Sequence, residues 1–217
     1  MRPPLLPSGS GFWPWPAHKK RPGCYNEGVI RAIIFDCFGV LATDGWLPFK
    51  QQFFAHDPQL LQHVTDMNQQ ANAGMMSSED FVREVANLAH VEEAKVHSVL
   101  RTNVPNEPLL AYIRQLKPRY KIGFLSNSSS DWVASIFTKQ QTALFDDITL
   151  SFEVGLVKPS PQIYELAARR LEVEPEQCVF VDDQERYTAA AEDVGMQGIC
   201  YQDFEQCKAD LERILAK

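Results

Sequence analysis

The sequence predicts an α/β fold in which a parallel sheet forms the core and an α-helical domain is inserted after the first strand. Short apolar runs alternate with amphipathic stretches over the second half of the chain, and this alternation is typical of parallel sheets with helices on both faces. Residues 46–117 instead show helical periodicity and no convincing strand. Polar residues directly follow several apolar runs, and this is where ligands bind in open α/β sheets.

The elements of the sheet domain follow one another regularly. The first strand is predicted over the apolar run 29–35, which ends at the carboxylate of Asp36. Further strands are predicted over 121–125, 147–150, 178–181 and 198–201, and helices over 131–140, 161–171, 185–194 and 204–215. Pro161 is tolerated because the first turn of a helix needs no backbone donor there, and Gly195 is a typical helix terminator. We therefore expect a Rossmann-like core formed by residues 29–43 and 118–217.

The insert, residues 44–117, is predicted to be helical. Apolar residues recur at helical spacing from Leu60 to Met67 and again from Phe81 to Leu88. Ser77 stands where its hydroxyl can cap the second of these helices. Two more helices are predicted over 91–100 and 108–116, and the last one returns the chain to the sheet.

Residues 1–28 differ in composition from the rest of the chain. They contain six prolines and four glycines, so they have few backbone donors and little apolar surface to bury. We expect a disordered extension. It lacks the apolar centre of a signal peptide, and no apolar run in the chain is long enough to cross a membrane.

Charge and cysteine content restrict the partners and the compartment. The net charge of −7 makes a nucleic-acid backbone an unfavourable partner. The five cysteines form no CxxC motif and their number is odd, which favours free thiols in a reducing compartment. We therefore expect a cytoplasmic protein that binds neither nucleic acid nor membranes.

Four polar motifs occur along the predicted core. They are Asp36 after the first strand, Ser126-Asn127 after the second, Lys158 between Gly155 and Pro159, and Asp182-Asp183 after the strand 178–181. Each alone has an ordinary structural explanation, because Asp, Ser and Asn favour turns and caps and most lysines are exposed. The carboxylates of Asp182 and Asp183 repel each other, and Mg²⁺ can compensate them through oxygen coordination. A helix N-cap at Asp183 is the alternative.

Taken together and in this order, the motifs resemble those of the haloacid dehalogenase (HAD)-like hydrolase superfamily, over about residues 29–201. The helical insert resembles the C1 cap of subfamily I, which closes over the active site and sets substrate choice. The resemblance implies that Asp36 attacks phosphorus and forms an aspartyl-phosphate that water hydrolyses. It also implies that Lys158 is both catalytic and substrate-binding, and that Ser126 and Asn127 bind the phosphoryl oxygens. The implied Mg²⁺ ligands are Asp36, the backbone carbonyl of Phe38, Asp182 and, in an assisting role, Asp183.

One position departs from the family pattern. Family phosphatases usually place a second aspartate two residues after the nucleophile, where it protonates the leaving oxygen, and this chain has Phe38. Because phenylalanine transfers no proton, acid–base help worth about 10²- to 10⁴-fold is expected to be missing.

Three interpretations accommodate Phe38. A phosphatase could act on good leaving groups such as sugar 1-phosphates, or recruit another acid such as Asp44. A 2-haloacid dehalogenase, a branch with an aromatic residue at this position, expels halide without a proton. A non-catalytic HAD-fold binding protein needs no acid at all. The acidic pair favours the first, because the dehalogenase branch works without metal and its carboxylate substrate would be repelled. We therefore expect a Mg²⁺-dependent phosphatase of small phosphorylated metabolites.

Overall fold

A computed structural model of the chain describes residues 29–216. The predicted extension, residues 1–28, lies outside this range. Five strands form one sheet, and in chain order they are β1 (Ala32–Phe35), β2 (Lys121–Ser126), β3 (Asp147–Leu150), β4 (Cys178–Asp182) and β5 (Gln197–Cys200). They lie in the order β3-β2-β1-β4-β5, and every neighbouring pair is parallel. The predicted Rossmann-like fold class is confirmed.

Four helices follow β1, and residues 46–101 contain no strand. They are α1 (Trp46–Phe54), α2 (Pro58–Asn72), α3 (Ser78–Ala89) and α4 (Glu93–Arg101). The N-caps of α2 and α3 are Asp57 and Ser77, whose side chains accept hydrogen bonds from backbone N–H groups of the first turn. Buried aromatic and aliphatic residues of these helices form a hydrophobic cluster of their own, centred on Phe54, Phe81 and Val85.

Seven further helices pack around the sheet. They are α5 (Glu107–Leu116), α6 (Val133–Ile136), α7 (Lys139–Thr142), α8 (Ser151–Val154), α9 (Pro161–Arg170), α10 (Glu185–Asp193) and α11 (Phe204–Leu215). The prediction of a single helix over 131–140 is wrong. Phe137 is extended and separates α6 from α7. Thr138 caps α7 with a capping box: its hydroxyl accepts from the backbone N–H of Gln141, and the side chain of Gln141 accepts from the backbone N–H of Thr138.

Alternating residues of β1 explain why helices cover both faces of the sheet. Successive side chains of a strand point to opposite faces, so Ile33 and Phe35 join one cluster, and Ala32 and Ile34 join the other. Helices α5 and α11 contribute to the first cluster, and α9 and α10 to the second. The buried residues of α5 thus belong to the sheet domain, although α5 lies within the range 44–117 assigned to the cap.

The two chain segments that connect α1–α4 to the sheet lie side by side. The backbone N–H of Thr43 donates to the carbonyl of Val104 at 3.0 Å, and the N–H of Val104 donates to Thr43 Oγ1 at 2.9 Å. The N–H of Gly45 donates to Asn103 Oδ1 at 2.9 Å. Entry and exit of the helical insert are therefore joined directly by hydrogen bonds.

Two contacts join the insert to the sheet domain away from this connection. Ser151 Oγ donates to the carbonyl of Asn72 at 2.6 Å, and the guanidinium of Arg101 lies 5.9 Å from the ring centroid of Trp132. No helix within residues 29–216 is long and apolar enough to span a membrane.

Candidate active site

The carboxyl edge of the sheet brings three of the four motifs together. Asp36 directly follows β1, Ser126 ends β2 and Asp182 ends β4. Because β1 pairs with β2 on one side and β4 on the other, these residues are neighbours across the edge. The N–H of Asp36 donates to the carbonyl of Val181 at 2.9 Å, which fixes the carboxylate to the rigid sheet.

Lys158 is buried between two carboxylates. Its Nζ donates to Asp36 Oδ1 at 2.7 Å and to Asp182 Oδ2 at 2.6 Å. The lysine lies in the loop between α8 and α9, and Gly155, with φ +67°, ends α8 in the left-handed conformation that lets the chain turn into this loop. The predicted lysine is therefore in direct contact with the predicted nucleophile.

Asn127 holds the backbone of Lys158. Its Oδ1 accepts from the N–H of Lys158 at 2.8 Å, and its Nδ2 donates to the carbonyl of Lys158 at 3.0 Å. Both ends of this side-chain amide are thus engaged by the lysine loop. In this arrangement Asn127 positions Lys158, and substrate binding by Asn127 stays a prediction.

One ammonium group serves two buried carboxylates, so the three side chains carry excess negative charge. Burial is the main cause that raises the pKa of Asp36; Lys158 opposes it, the charge of Asp182 adds to it, and the net result is a pKa of about 7. Burial also opposes the charged form of Lys158, but the two carboxylates outweigh burial and raise the pKa of this lysine. Lys158 therefore stays cationic at neutral pH.

Asp183 completes a cluster of oxygen ligands. Single carboxylate oxygens of Asp36, Asp182 and Asp183 all lie within 4.8 Å of one another. Asp183 Oδ1 is buried and has no hydrogen-bond partner within residues 29–216, and burial raises the pKa of this carboxyl to about 6. An unpartnered buried carboxylate oxygen beside two others fits a hard divalent cation such as Mg²⁺.

Gly39 makes room for this cluster. Its φ is +89°, and a Cβ atom built at this position would lie 2.5 Å from Asp183 Oδ2. Any side chain here would collide with the carboxylate, so the loop after Asp36 requires glycine for both its conformation and its contact.

Ser126 ends β2, which lies on the opposite side of β1 from β4. Its Oγ is buried and has no hydrogen-bond partner in the described chain, which is costly unless a ligand or water supplies one. A small cavity beside it is lined by Cys37, Phe38, Trp132 and other residues. The hydroxyl is therefore available to a ligand, and its binding of a phosphoryl oxygen stays a prediction.

Phe38 contributes an apolar wall instead of an acid. Its side chain packs against the hydrophobic cluster that contains Phe35 and Phe124. Asp44, the alternative acid considered from the sequence, accepts hydrogen bonds from the backbone N–H groups of Trp46 and Leu47 at 2.8 and 3.3 Å. Burial nevertheless raises the pKa of Asp44. One carboxylate oxygen of Asp44, Oδ1, thus caps the first turn of α1.

Tyr187 is a residue of the site that sequence reasoning missed. Its ring centroid lies 4.9 Å from Lys158 Nζ, and that of Phe180 lies 5.4 Å from the same atom, both within range of a cation–π contact. The Tyr187 hydroxyl accepts a long bond of 3.4 Å from Asn127 Nδ2. An aromatic residue on an amphipathic helix gives no local indication of such a contact.

The geometry agrees with a family comparison. The sequence profile of haloacid dehalogenase-like hydrolases matches residues 30–195. The chain belongs to this family of hydrolases. The family predicted from the four motifs is therefore confirmed, and the protein is a HAD-like hydrolase.

Several known proteins are similar to this HAD-like chain. D-ribitol-5-phosphate phosphatase of Bacteroides thetaiotaomicron is 27% identical in an alignment 172 residues long, which covers 71% of this chain and 84% of the relative. Bifunctional epoxide hydrolase 2 of Sus scrofa is 37% identical over 70 residues, 32% of this chain, but the match spans only 13% of that enzyme. The chain thus spans a small part of some of its relatives.

A crystal structure of a HAD family enzyme from Bacteroides thetaiotaomicron, in complex with magnesium and inorganic phosphate, has the same fold. It superimposes with a TM-score of 0.67 at 17% identity and covers 82% of this chain and 98% of its own.

Proposed function

We propose that this HAD-like hydrolase is a Mg²⁺-dependent phosphatase of small phosphorylated metabolites that acts through an aspartyl-phosphate. The observation that carries the proposal is the cluster of Asp36, Asp182 and Asp183 beside Lys158. The relative named D-ribitol-5-phosphate phosphatase supports a phosphorylated substrate, and the magnesium and phosphate bound by the structural relative support the metal.

In the proposed mechanism, a carboxylate oxygen of Asp36 attacks phosphorus and displaces the oxygen of the leaving group. Water then attacks the phosphorus of the aspartyl-phosphate, releases inorganic phosphate and restores the carboxylate of Asp36. Lys158 and the hydroxyl of Ser126 bind phosphoryl oxygens throughout. Bound Mg²⁺, held by Asp36, Asp182, Asp183 and the carbonyl of Phe38, supplies further neutralisation of the charge that repels a carboxylate nucleophile from a phosphate.

Phe38 restricts the proposed substrates. With no acid at this position, the leaving oxygen departs with its charge, so phosphates of acidic alcohols react best. Sugar 1-phosphates, acyl phosphates and aryl phosphates belong to this group. Simple alkyl phosphates are expected to react slowly because proton transfer cannot offset the developing charge.

The alternatives are less compatible with the charges of the site. A 2-haloacid dehalogenase would bring a carboxylate substrate towards three clustered carboxylates, which repel it. A binding protein without catalysis would have no use for a lysine held at 2.7 Å from the nucleophile oxygen and an unpartnered hydroxyl at Ser126.

A phosphatase assay over a metabolite panel tests the proposal. We expect turnover with Mg²⁺, loss of turnover in excess EDTA, and no chloride release from 2-chloropropionate. Asp182→Asn should weaken the response to Mg²⁺ strongly, whereas Asp193→Asn, at an exposed position near the end of α10, should leave it unchanged. Full activity in EDTA, or chloride release, contradicts the proposal and favours the dehalogenase.

A further inference from the structure

Arg186 is a cation near the site that the proposed mechanism does not use. Although this residue is exposed, its guanidinium is held in one place. Nε and Nη2 donate to Gln184 Oε1 at 3.1 and 2.8 Å, and Nη2 also donates to the Tyr187 hydroxyl at 2.9 Å. The guanidinium carbon lies 4.5 Å from the Tyr187 ring centroid. A guanidinium fixed in this way loses little conformational entropy when it binds an anion.

The ring of Tyr187 connects Arg186 to the reaction centre. Lys158 Nζ, which donates to Asp36, lies 4.9 Å from the centroid of this ring. The separation of the two cations is therefore at most the sum of their distances to this centroid, 4.9 Å for Lys158 Nζ and 4.5 Å for the guanidinium carbon of Arg186. This upper limit is within the length of a small metabolite. The bonds to Gln184 and Tyr187 use Nε and Nη2, so Nη1 can donate to a ligand.

Lys50 adds a second cation from helix α1 of the insert. Its side chain is partly buried, and burial lowers its pKa; the charge of Arg186 lowers it further while Asp44 opposes. Neither Lys50 nor Arg186 forms an ion pair with a carboxylate of residues 29–216. The positive charge of Arg186 in the sheet domain thus acts on Lys50 of the insert, and Asp44 compensates it only in part.

We propose that Arg186 and Lys50 form a subsite for a second anionic group, so that the substrate is a small phosphate monoester that also carries a carboxylate or a second phosphate. This inference rests on the proposed phosphatase function. The phosphoryl group lies at Asp36 and Lys158, and the second anion accepts hydrogen bonds from the guanidinium and the ammonium. Charge-assisted bonds of this kind are stronger than neutral ones, so substrates without the second anion bind less well.

Three sugars with the same scissile bond test the subsite. Glucose 1-phosphate, glucuronic acid 1-phosphate and glucose 1,6-bisphosphate differ only at C6, which carries a hydroxyl, a carboxylate or a phosphate. With the purified full chain and Mg²⁺, release of phosphate from C1 is expected to have a kcat/KM about tenfold higher for at least one charged sugar than for glucose 1-phosphate. The preferred sugar identifies the second anion as carboxylate or phosphate.

Substitutions connect this preference to the two cations. Arg186→Gln and Lys50→Gln should each reduce the ratio of kcat/KM between the charged and neutral sugars by about tenfold, mainly through KM. Lys95→Gln, which removes an exposed cation from α4 of the same insert, should leave the ratio unchanged. Since Lys50 and Arg186 lie in different parts of the fold, a folding defect in one variant does not prevent the test with the other.

Equal kcat/KM values for the three sugars, or a ratio that neither substitution changes, overturn the subsite and leave the phosphatase proposal intact. If no sugar is hydrolysed, calorimetric titration of the Asp36→Asn protein with the same sugars decides. Equal dissociation constants overturn the subsite, and tighter binding of a charged sugar supports it. Failure of aryl and acyl phosphates to react as well contradicts the phosphatase proposal itself.

Discussion

The metal-free protein should lose stability as pH rises towards neutrality, because Asp36 is buried in an excess of negative charge. The folded state raises the pKa of this carboxyl from 3.8 to about 7. Between pH 3.8 and about pH 7, the carboxyl of Asp36 is protonated in the folded protein and ionised in the unfolded chain. Each increase in pH therefore favours unfolding. This contribution to stability is complete below pH 4 and is lost as the pH rises through about 7.

The size of the effect follows from the two pKa values. One pKa unit corresponds to about 1.4 kcal/mol, so the free energy of unfolding should fall by roughly 4 kcal/mol across this range on account of Asp36 alone. Other carboxyls titrate as well, and those of Asp146 and Asp210 have lowered pKa values, which act in the opposite direction. Comparison with Asp36→Asn removes these contributions, because the amide mimics the protonated carboxyl and does not titrate.

Urea unfolding in EDTA from pH 4.5 to pH 8, for the natural chain and Asp36→Asn, measures the difference. The natural chain is expected to lose stability relative to the variant as pH rises. With saturating Mg²⁺ the trend should weaken or reverse, since a cation prefers ionised ligands. The opposite result is that, in EDTA, the natural chain gains free energy of unfolding relative to Asp36→Asn as pH rises. This would mean that Lys158 outweighs burial and lowers the pKa of Asp36, and the reasoning would be wrong.

Three further predictions concern single residues around the same carboxylate. Gly39→Ala should weaken Mg²⁺ binding, measured by calorimetry, because the Cβ atom of alanine would collide with Asp183. It should also lower the free energy of unfolding by about 1–3 kcal/mol, because φ +89° is unfavourable for alanine. An unchanged metal affinity would contradict this prediction. Asn127→Ala should remove two hydrogen bonds to the Lys158 backbone and lower the free energy of unfolding in urea by about 1–3 kcal/mol. It should also lower kcat more than it raises KM. Gln140→Ala, at an exposed position of α7, serves as the control. Phe38→Asp should flatten the dependence of the hydrolysis rate on leaving-group pKa over a series of phosphate esters. The new carboxyl supplies a proton donor, which typically raises the rate by about 10²- to 10⁴-fold. A flat dependence in the natural chain would show that another group already donates the proton.

The framework of the site could be predicted from the sequence because it depends on local patterns. An apolar run that stops at a polar residue places that residue at the end of a strand, and parallel strands place such ends at one edge. Asp36, Ser126 and Asp182 were found in this way. The capping box at Thr138 and Gln141 was also visible as a local pattern, and attention to it would have divided the helix predicted over 131–140.

Contacts between distant segments could not be predicted in this way. The amide of Asn127 reaches the backbone of Lys158, and the ring of Tyr187 approaches the ammonium of the same lysine. Neither contact has a sequence spacing that distinguishes it, because each depends on how loops from different strands meet above the sheet. Polar residues at strand ends thus identify the candidate site, while the groups that orient its side chains appear only in three dimensions.

The paired connection between the helical insert and the sheet domain has a consequence for how such a chain can be altered. Thr43 and Val104 are hydrogen-bonded neighbours, so the whole segment between them leaves and rejoins the sheet domain at one place. Exchange of that segment for another helical unit, or for a short glycine turn, requires no change in the course of β1 or α5. The hydrophobic residues of α1–α4 pack mainly against one another, so the sheet would lose few of its own contacts. A chain organised in this way can exchange one segment while the carboxylates and lysine at the sheet edge stay unchanged.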